Sequence, residues 1–251
     1  PTPSTQQRPW ASWLVILWPH FRRRGTSKDR PPGATGSTKV MAHGTAQGPR
    51  GMVLAMGNPR DKILIINGHP DGESYCAALH EAYKRGALQS GAEVRELALR
   101  ELSFTPNLQF GYRKRTELEP DLLRAQEWMR WCNHMVWVHP VWWGSFPALM
   151  KGFLDRVFLP GFFFKKHPGV AYTWDKLLTG KSARIIYTLD TPWIYWLLAG
   201  RPAYVALKWV TLGYCGVSPI AGTALGVVRL STQDKRETWL RKVEALGAKR
   251  R

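Results

Sequence analysis

The chain has 251 residues, room for one large domain or two small ones. With 44% hydrophobic and 22% charged residues, it has the composition of a globular protein with an ample core. Its net charge of +18 suggests nucleic acid until it is divided: residues 1–60 hold nine Lys/Arg and one acid, and the remaining charge is spread thinly over the other residues. So diffuse a positive surface attracts phosphorylated dinucleotides as readily as nucleic acid, and charge alone selects neither. Cys76, Cys132 and Cys215 lie far apart with no C-x-x-C pair, which argues against a disulfide framework or a zinc site and fits a reducing cytosol.

Residues 1–60 do not read as folded structure. The stretch "RRRGTSKDRPPGATGSTKVMAHGTAQGPRG" has no apolar period and predicts a disordered, basic extension. Ahead of it, "PWASWLVILWPHF" is far shorter than the ~20 residues of a transmembrane helix. As a signal h-region it has its arginines on the wrong side and no evident small-residue cleavage site, and it also suits an interfacial anchor. Met41, Met52 and Met56 stand just before the first folded segment, so the expectation is an over-extended gene model with the native start near Met56.

From Asp61 the character changes. "KILIIN" is a short β-branched run with the pattern of a buried parallel strand, and residues 74–90 carry helical spacing closed by Gly91. "EVRELAL" predicts a second strand, followed by a polar segment and a helix that starts near Pro120. "HMVWVHP" is a third strand, and residues 147–158 read as a helix with Pro147 in its first turn. "SARIIYTLD" gives a fourth strand, residues 202–214 a further helix, "VSPIAGTALGVV" a fifth strand, and residues 231–246 an amphipathic last helix. Strands alternating with helices predict an α/β fold: one doubly wound, five-stranded parallel sheet with helices on both faces.

In such sheets ligands bind beyond the carboxyl ends of the strands, near the switch point. Three loops are selected. In "GHPDGESY", Ser74 is a plausible N-cap whose helix turns free N–H groups to the loop, and His69 adds a donor. Asp71 and Glu73 oppose an anion unless they point away, so the segment reads equally as an ordinary cap and as a phosphate site. In "HPVWWGSF", Trp142 and Trp143 stand where a strand ends, and Gly144 and Ser145 let the backbone come close to a flat ligand; a hydrophobic lid on the sheet is the alternative. In the loop "LDTPWIYW", Tyr195 is placed to donate to a reduced ring oxygen, while the aromatic cluster equally suits a subunit or membrane contact. Cys76 falls in a first helical turn that can depress a thiol pKa, against its simpler use as a small packing residue. There is no G-x-G-x-x-G, Walker A, H-E-x-x-H or G-x-S-x-G pattern and no metal-ligand spacing, and His139 and His167 read as structural.

The segments "ILIINGHPDGESYCAAL" and "HPVWWGSFPALMKGFLDRVFLPGFFF" resemble the NAD(P)H:quinone oxidoreductases of flavodoxin-like fold, a family that includes the ancillary reductases of bacterial potassium efflux systems. The resemblance spans residues 61–250 and implies sheet order 2-1-3-4-5. It implies a non-covalent flavin, with FMN expected because the chain ends soon after its last helix and FAD as the alternative. His69, Ser74, Tyr75 and Cys76 then correspond to phosphate and ribityl contacts, and Pro140, Val141, Trp142, Trp143 and Gly144 to the ring's surroundings. It also implies two-electron ping-pong transfer from NAD(P)H to a quinone. The other reading is an ancillary, flavin-binding subunit on a potassium efflux system. Expected partners are a quinone or another small acceptor and a second copy of the chain, with no nucleic acid; the expected location is cytoplasmic, with peripheral association at the inner membrane. The chain departs from the family after the fourth strand, where Asp190, Thr191 and Pro192 replace a glycine-containing nest and Pro192 offers no N–H. The closing "GFFF" is expected to wall the acceptor pocket or a subunit contact.

Overall fold

The computed structural model describes residues 61–111, 113–169 and 172–249. The expectations for residues 1–60 lie outside them. In chain order the elements are β1 (Lys62–Asn67), α1 (Tyr75–Gln89), β2 (Glu93–Ala98), α2 (Pro120–Trp131), β3 (His134–Pro140), α3 (Ala148–Val157), β4 (Phe164–Lys166), β5 (Trp174–Lys176), β6 (Ser182–Thr188), α4 (Trp193–Leu198), α5 (Pro202–Val205), β7 (Ile220–Leu225) and α6 (Gln233–Ala248). One sheet has the order β2-β1-β3-β6-β7, every neighbouring pair parallel. This is the doubly wound, five-stranded order 2-1-3-4-5, because β4 and β5 stand apart as a small antiparallel hairpin.

The central strands β1 and β3 are buried on both sides, which is why they read as continuous apolar runs. Leu64, Ile66, Met135, Trp137 and Ile185 point to the face covered by α2 and α3. Ile63, Ile65, Val136, Val138 and Ile186 point to the face of α1 and α6. On that second face α1 and α6 meet backbone to backbone: a Cβ at Gly86 would strike the Glu244 carbonyl, and one at Gly247 the Tyr83 carbonyl.

Two features stabilise segments that lack regular structure. Ser74 caps α1 by accepting the Ala77 N–H at 3.3 Å. The polar connection from β2 to α2 is tied to α3 by Arg156, which is 1% exposed, pairs with Glu119 at 2.7 Å and donates to the carbonyls of Glu117 and Thr105.

The structure corrects two local expectations and narrows a third. Residues 193–198 form the short helix α4, not a loop. The helix expected over residues 202–214 is one α-helical turn, α5, continued by a π-helical segment, Ala206–Gly213, in which the Thr211 hydroxyl donates to the Ala206 carbonyl five residues back. In "GFFF", Phe163 is fully buried and packs 4.9 Å from Phe158, Phe162 lies under Arg130, and Phe164 packs against Tyr214. Phe163 is thus core, while Phe162 and Phe164 each line a separate hollow and none of the three lines the cleft described next.

Candidate active site

At the carboxyl edge of the sheet, β1, β3 and β6 end together and open a cleft of about 510 Å³. Its wall brings together His69, Tyr75, Cys76, Pro140, Val141, Trp142 and Trp143, all expected from the sequence, with Thr188, Leu189, Asp190, Thr191 and Val228. The volume is that of a small-molecule or cofactor site.

One side of the cleft is the loop from β1 to α1. The His69 N–H donates to Asn67 Oδ1 at 3.0 Å, the Asp71 N–H to His69 Nδ1 at 3.0 Å, and the Glu73 N–H to Asp71 Oδ1 at 2.9 Å. Each side chain therefore satisfies the backbone two residues on, as in Asx-type turns. Asp71 is spent within the loop, and Glu73 lines a neighbouring hollow beside Arg100, so neither acid belongs to the cleft wall. With Nδ1 accepting, His69 keeps Nε2–H as its donor, and burial lowers its pKa below the usual imidazole value. The imidazole acts as a neutral donor rather than as a cation. The N–H groups of Tyr75 and Cys76, the first of α1, have no acceptor among the described residues and are not opposed by an acid in the first turn.

The other side is the turn after β3. The Trp142 N–H donates to the Ser145 carbonyl at 3.0 Å, and the Ser145 N–H returns a bond of 2.9 Å to the Trp142 carbonyl. Trp143 at φ +50° and Gly144 at φ +73° form the two central residues. A turn with both central residues left-handed favours Asn-Gly, and a bulky residue in the first place costs about 1–2 kcal/mol. The Trp143 indole is fully exposed at the cleft's rim, and Trp142 meets the His69 ring edge-on at 5.4 Å. Trp143 is therefore no lid on the sheet, since it covers nothing in the core.

The floor and far wall come from β6 and β7. Cys76 Sγ lies 3.5 Å from Thr188 Oγ1, and burial pushes the thiol up to about 11, so Cys76 serves as a packing residue and not as an activated thiolate. Asp190 accepts the Arg229 N–H at 2.7 Å, which ties the loop after β6 to the loop after β7. His139, beneath the cleft, is fully buried. Its Nδ1–H donates to the Pro140 carbonyl at 2.9 Å, it stacks on Tyr187, and burial lowers its pKa to about 4. This is the structural role expected of it.

Three expected site residues stand differently. Ser74 uses its hydroxyl on Ala77 and faces the hollow beside Glu73 and Arg100. Gly144 contributes conformation and space: a Cβ there would lie 3.3 Å from Pro202 Cγ. Tyr195 sits on α4, two-thirds exposed, and does not line the cleft. Thr188 and Val228 were missed. Register points to the first, because Thr188 pairs with the site residue Pro140, and Val228 follows the carboxyl end of β7, which like that of β2 is not among the three selected loops.

The residues fit a flavin phosphate at one end, where His69 and the first residues of α1, with their free N–H groups, line the same wall, and a flat ring along the aromatic rim. At the far end, the Val141 N–H is already bonded to the Thr188 carbonyl at 2.7 Å and Pro192 has none. Fewer backbone donors remain there for a ring's polar edge.

Comparison with known proteins agrees with this architecture. A family model described as the flavodoxin-like fold matches residues 61–246. A ribosyldihydronicotinamide dehydrogenase-like protein of Penicillium crustosum is 29% identical over 153 residues, covering 51% of this chain and 57% of that protein. The chain thus spans little more than half the length of that curated relative. The rat ribosyldihydronicotinamide dehydrogenase [quinone] is 22% identical over 214 residues, 74% of this chain and 91% of the rat protein. Among solved structures, Smu.1420 of Streptococcus mutans superposes with a TM-score of 0.65 at 27% identity, covering 75% of this chain and 99% of that one. An FMN-dependent NADH-azoreductase of Bacillus anthracis, solved in complex with FMN, shares the fold with a TM-score of 0.59 at 17% identity, covering 75% of this chain and 98% of that one. With three-quarters of its length matched by that family model, the chain belongs to the family of proteins with a flavodoxin-like fold.

Proposed function

We propose that the protein is a flavin-dependent NAD(P)H oxidoreductase that reduces a quinone or a similar flat acceptor, with FMN as the flavin. The observation that carries this reading is the convergence, in one cleft at the switch point of the sheet, of two unbonded helix N–H groups, a neutral His69 donor and the Trp142–Trp143 rim. The names of the relatives in Penicillium crustosum and rat, and the FMN in the Bacillus anthracis structure, point the same way.

A flavin held here would supply the redox chemistry, two-electron transfer from NAD(P)H to the acceptor in two half-reactions. The chain's residues bind and orient. The Tyr75 and Cys76 N–H groups would hold the phosphate, with the α1 dipole favouring its charge. Pro140 and Val141 form the wall, Trp142 and Trp143 the edge against which a flat ring and its successive partners stack, and Thr188 the floor. One open mouth serving one cleft suits a ping-pong order, in which the nicotinamide leaves before the acceptor enters. No catalytic step is assigned to Tyr195, because its side chain lies outside the cleft wall.

The test is direct. The full chain is expressed and its visible spectrum recorded; any flavin is then released by denaturation and identified by chromatography. A yellow protein that oxidises NAD(P)H with a soluble quinone, and gives parallel lines when both substrates are varied, is expected. A colourless protein that takes up neither FMN nor FAD overturns the reading.

A further inference from the structure

The connection from β2 to α2 is anchored on α3 at two points. Pro106 packs so closely on Gly152 that a Cβ there would strike the proline ring. Arg156 holds the carbonyls of Thr105 and Glu117 together with the Glu119 carboxylate. Between these anchors the connection encloses, with Gln126 of α2 and the residues that follow α3, a hollow of about 450 Å³. That volume suits a small molecule, and the hollow shares no lining residue with the cleft. Leu108, Leu118, Leu159 and Phe162 form its apolar wall. The Phe162 ring is already covered by the Arg130 guanidinium, 3.4 Å from its centre, and Gln126 spends its Nε2 on the Val157 carbonyl at 2.9 Å. Lys114 and Arg115 line the hollow and are exposed, so they stand at its mouth. Neither has a carboxylate partner among the described residues.

We propose that this hollow binds a medium-chain aliphatic carboxylate. Three leucines offer a methylene chain apolar surface without the open ring face that a flat ligand stacks on. The charge of the wall selects the head group. No Asp or Glu lines the hollow. Of the acids nearest to it, Glu119 is bound to Arg156, and Asp155 lines a different hollow, where it pairs with Lys151 at 2.7 Å. Glu117 and Glu127 are exposed and stand outside the wall. Two uncompensated cations at the mouth therefore meet a carboxylate whose chain lies inside, and charge-assisted hydrogen bonds hold it there. A neutral amphiphile of the same length gains the burial and loses that attraction. The site lies outside the cleft, and its occupation does not depend on the oxidoreductase reading.

The experiment is calorimetric titration of the full chain with sodium octanoate at low ionic strength, with hexanoate and 1-octanol for comparison. A Kd of about 1 mM or tighter is expected for octanoate. Hexanoate should bind about tenfold more weakly, because it buries two methylenes fewer, and 1-octanol about fivefold more weakly. Leu108→Asp sets a carboxylate in the wall and is expected to lower octanoate affinity about tenfold or more. The double variant Lys114→Gln/Arg115→Gln should lower it about fivefold, and both proteins should keep the native far-ultraviolet circular dichroism spectrum. A native chain that binds no octanoate, or variants that both bind it as the native chain does, overturns the proposal; in the second case the probe sits elsewhere. Equal affinity for 1-octanol and octanoate also overturns it, since the head group is then not read. A chain that ignores octanoate but forms a dimer that Leu108→Asp splits, measured by sedimentation, gives the hollow to a second copy and overturns the proposal as well. Flavin content does not enter the titration, so failure of the flavin reading stays distinguishable.

Discussion

The two faces of the sheet are finished differently. On one, α1 and α6 close so tightly that two glycines, Gly86 and Gly247, are required where the backbones meet, and Tyr75 on α1 ties its hydroxyl to the Arg236 carbonyl of α6 at 2.7 Å. On the other, α4 and the π-helical segment bury a minority of their side chains and leave Trp193, Leu198 and Trp209 in solvent. The first face is complete within the chain; its residues are constrained by packing. The second carries apolar surface that its own fold does not use, and its residues are free to serve something outside it.

The strongest test of that contrast is Gly86→Val. Backbone in the way cannot move like a side chain, so α1 and α6 must separate, and a loss of more than about 3 kcal/mol is expected in urea unfolding. Leu198→Glu on the open face should change stability by less than about 0.5 kcal/mol. Equal losses at the two sites would erase the distinction.

Acid should weaken the protein next most strongly. His139 has a pKa of about 4 when folded, below its unfolded value of about 6.5. The unfolded chain therefore binds its proton first as pH falls. The stability from the buried neutral imidazole is complete above pH ~6.5 and is lost progressively down to pH ~4, by up to about 3 kcal/mol. His134 follows the same sign, held to about 4 by burial and by Arg184. His139→Phe should flatten the dependence of urea stability on pH within that window, whereas an unchanged slope would assign it elsewhere.

Two smaller effects sharpen the comparison at the cleft. Tyr75→Phe removes one hydrogen bond from the closed face and should cost about 1 kcal/mol. Trp143→Asn relieves the left-handed strain at the turn and should raise stability by about 0.5–1 kcal/mol while weakening flavin retention. Gain in one measure and loss in the other is the expected signature of a residue kept for binding; loss in both would make Trp143 structural.

Much of this architecture was legible from residue pattern. "KILIIN" and "HMVWVHP" declare buried strands because a strand covered on both faces has no polar side to show, and Ser74 and Pro120 mark helix starts through the chemistry of orphan N–H groups. The three strand ends that form the cleft followed from the sheet order. Other features depended on spacing between elements distant in sequence. Gly86 looks like a weak point in a helix until α6 lies against it. Tyr195 reads as a donor in the loop after the fourth strand, but α4 carries it out of the cleft. "GFFF" reads as a wall of the acceptor pocket or a subunit contact, yet Phe163 is core, because a run of aromatics has no period that says which way each ring points.

The sequence by itself determined the strands, their alternation with helices and the edge of the sheet where chemistry belongs, since burial and backbone hydrogen bonding act over a few residues at a time. Tertiary structure alone decided which side chains share the cleft, that Asp71 and Glu73 are absent from its wall, that Cys76 is buried beyond reaction, and that one face is sealed while the other is left open. Each of those outcomes depends on what a residue meets across the fold, and that partner lies tens or hundreds of positions away along the chain.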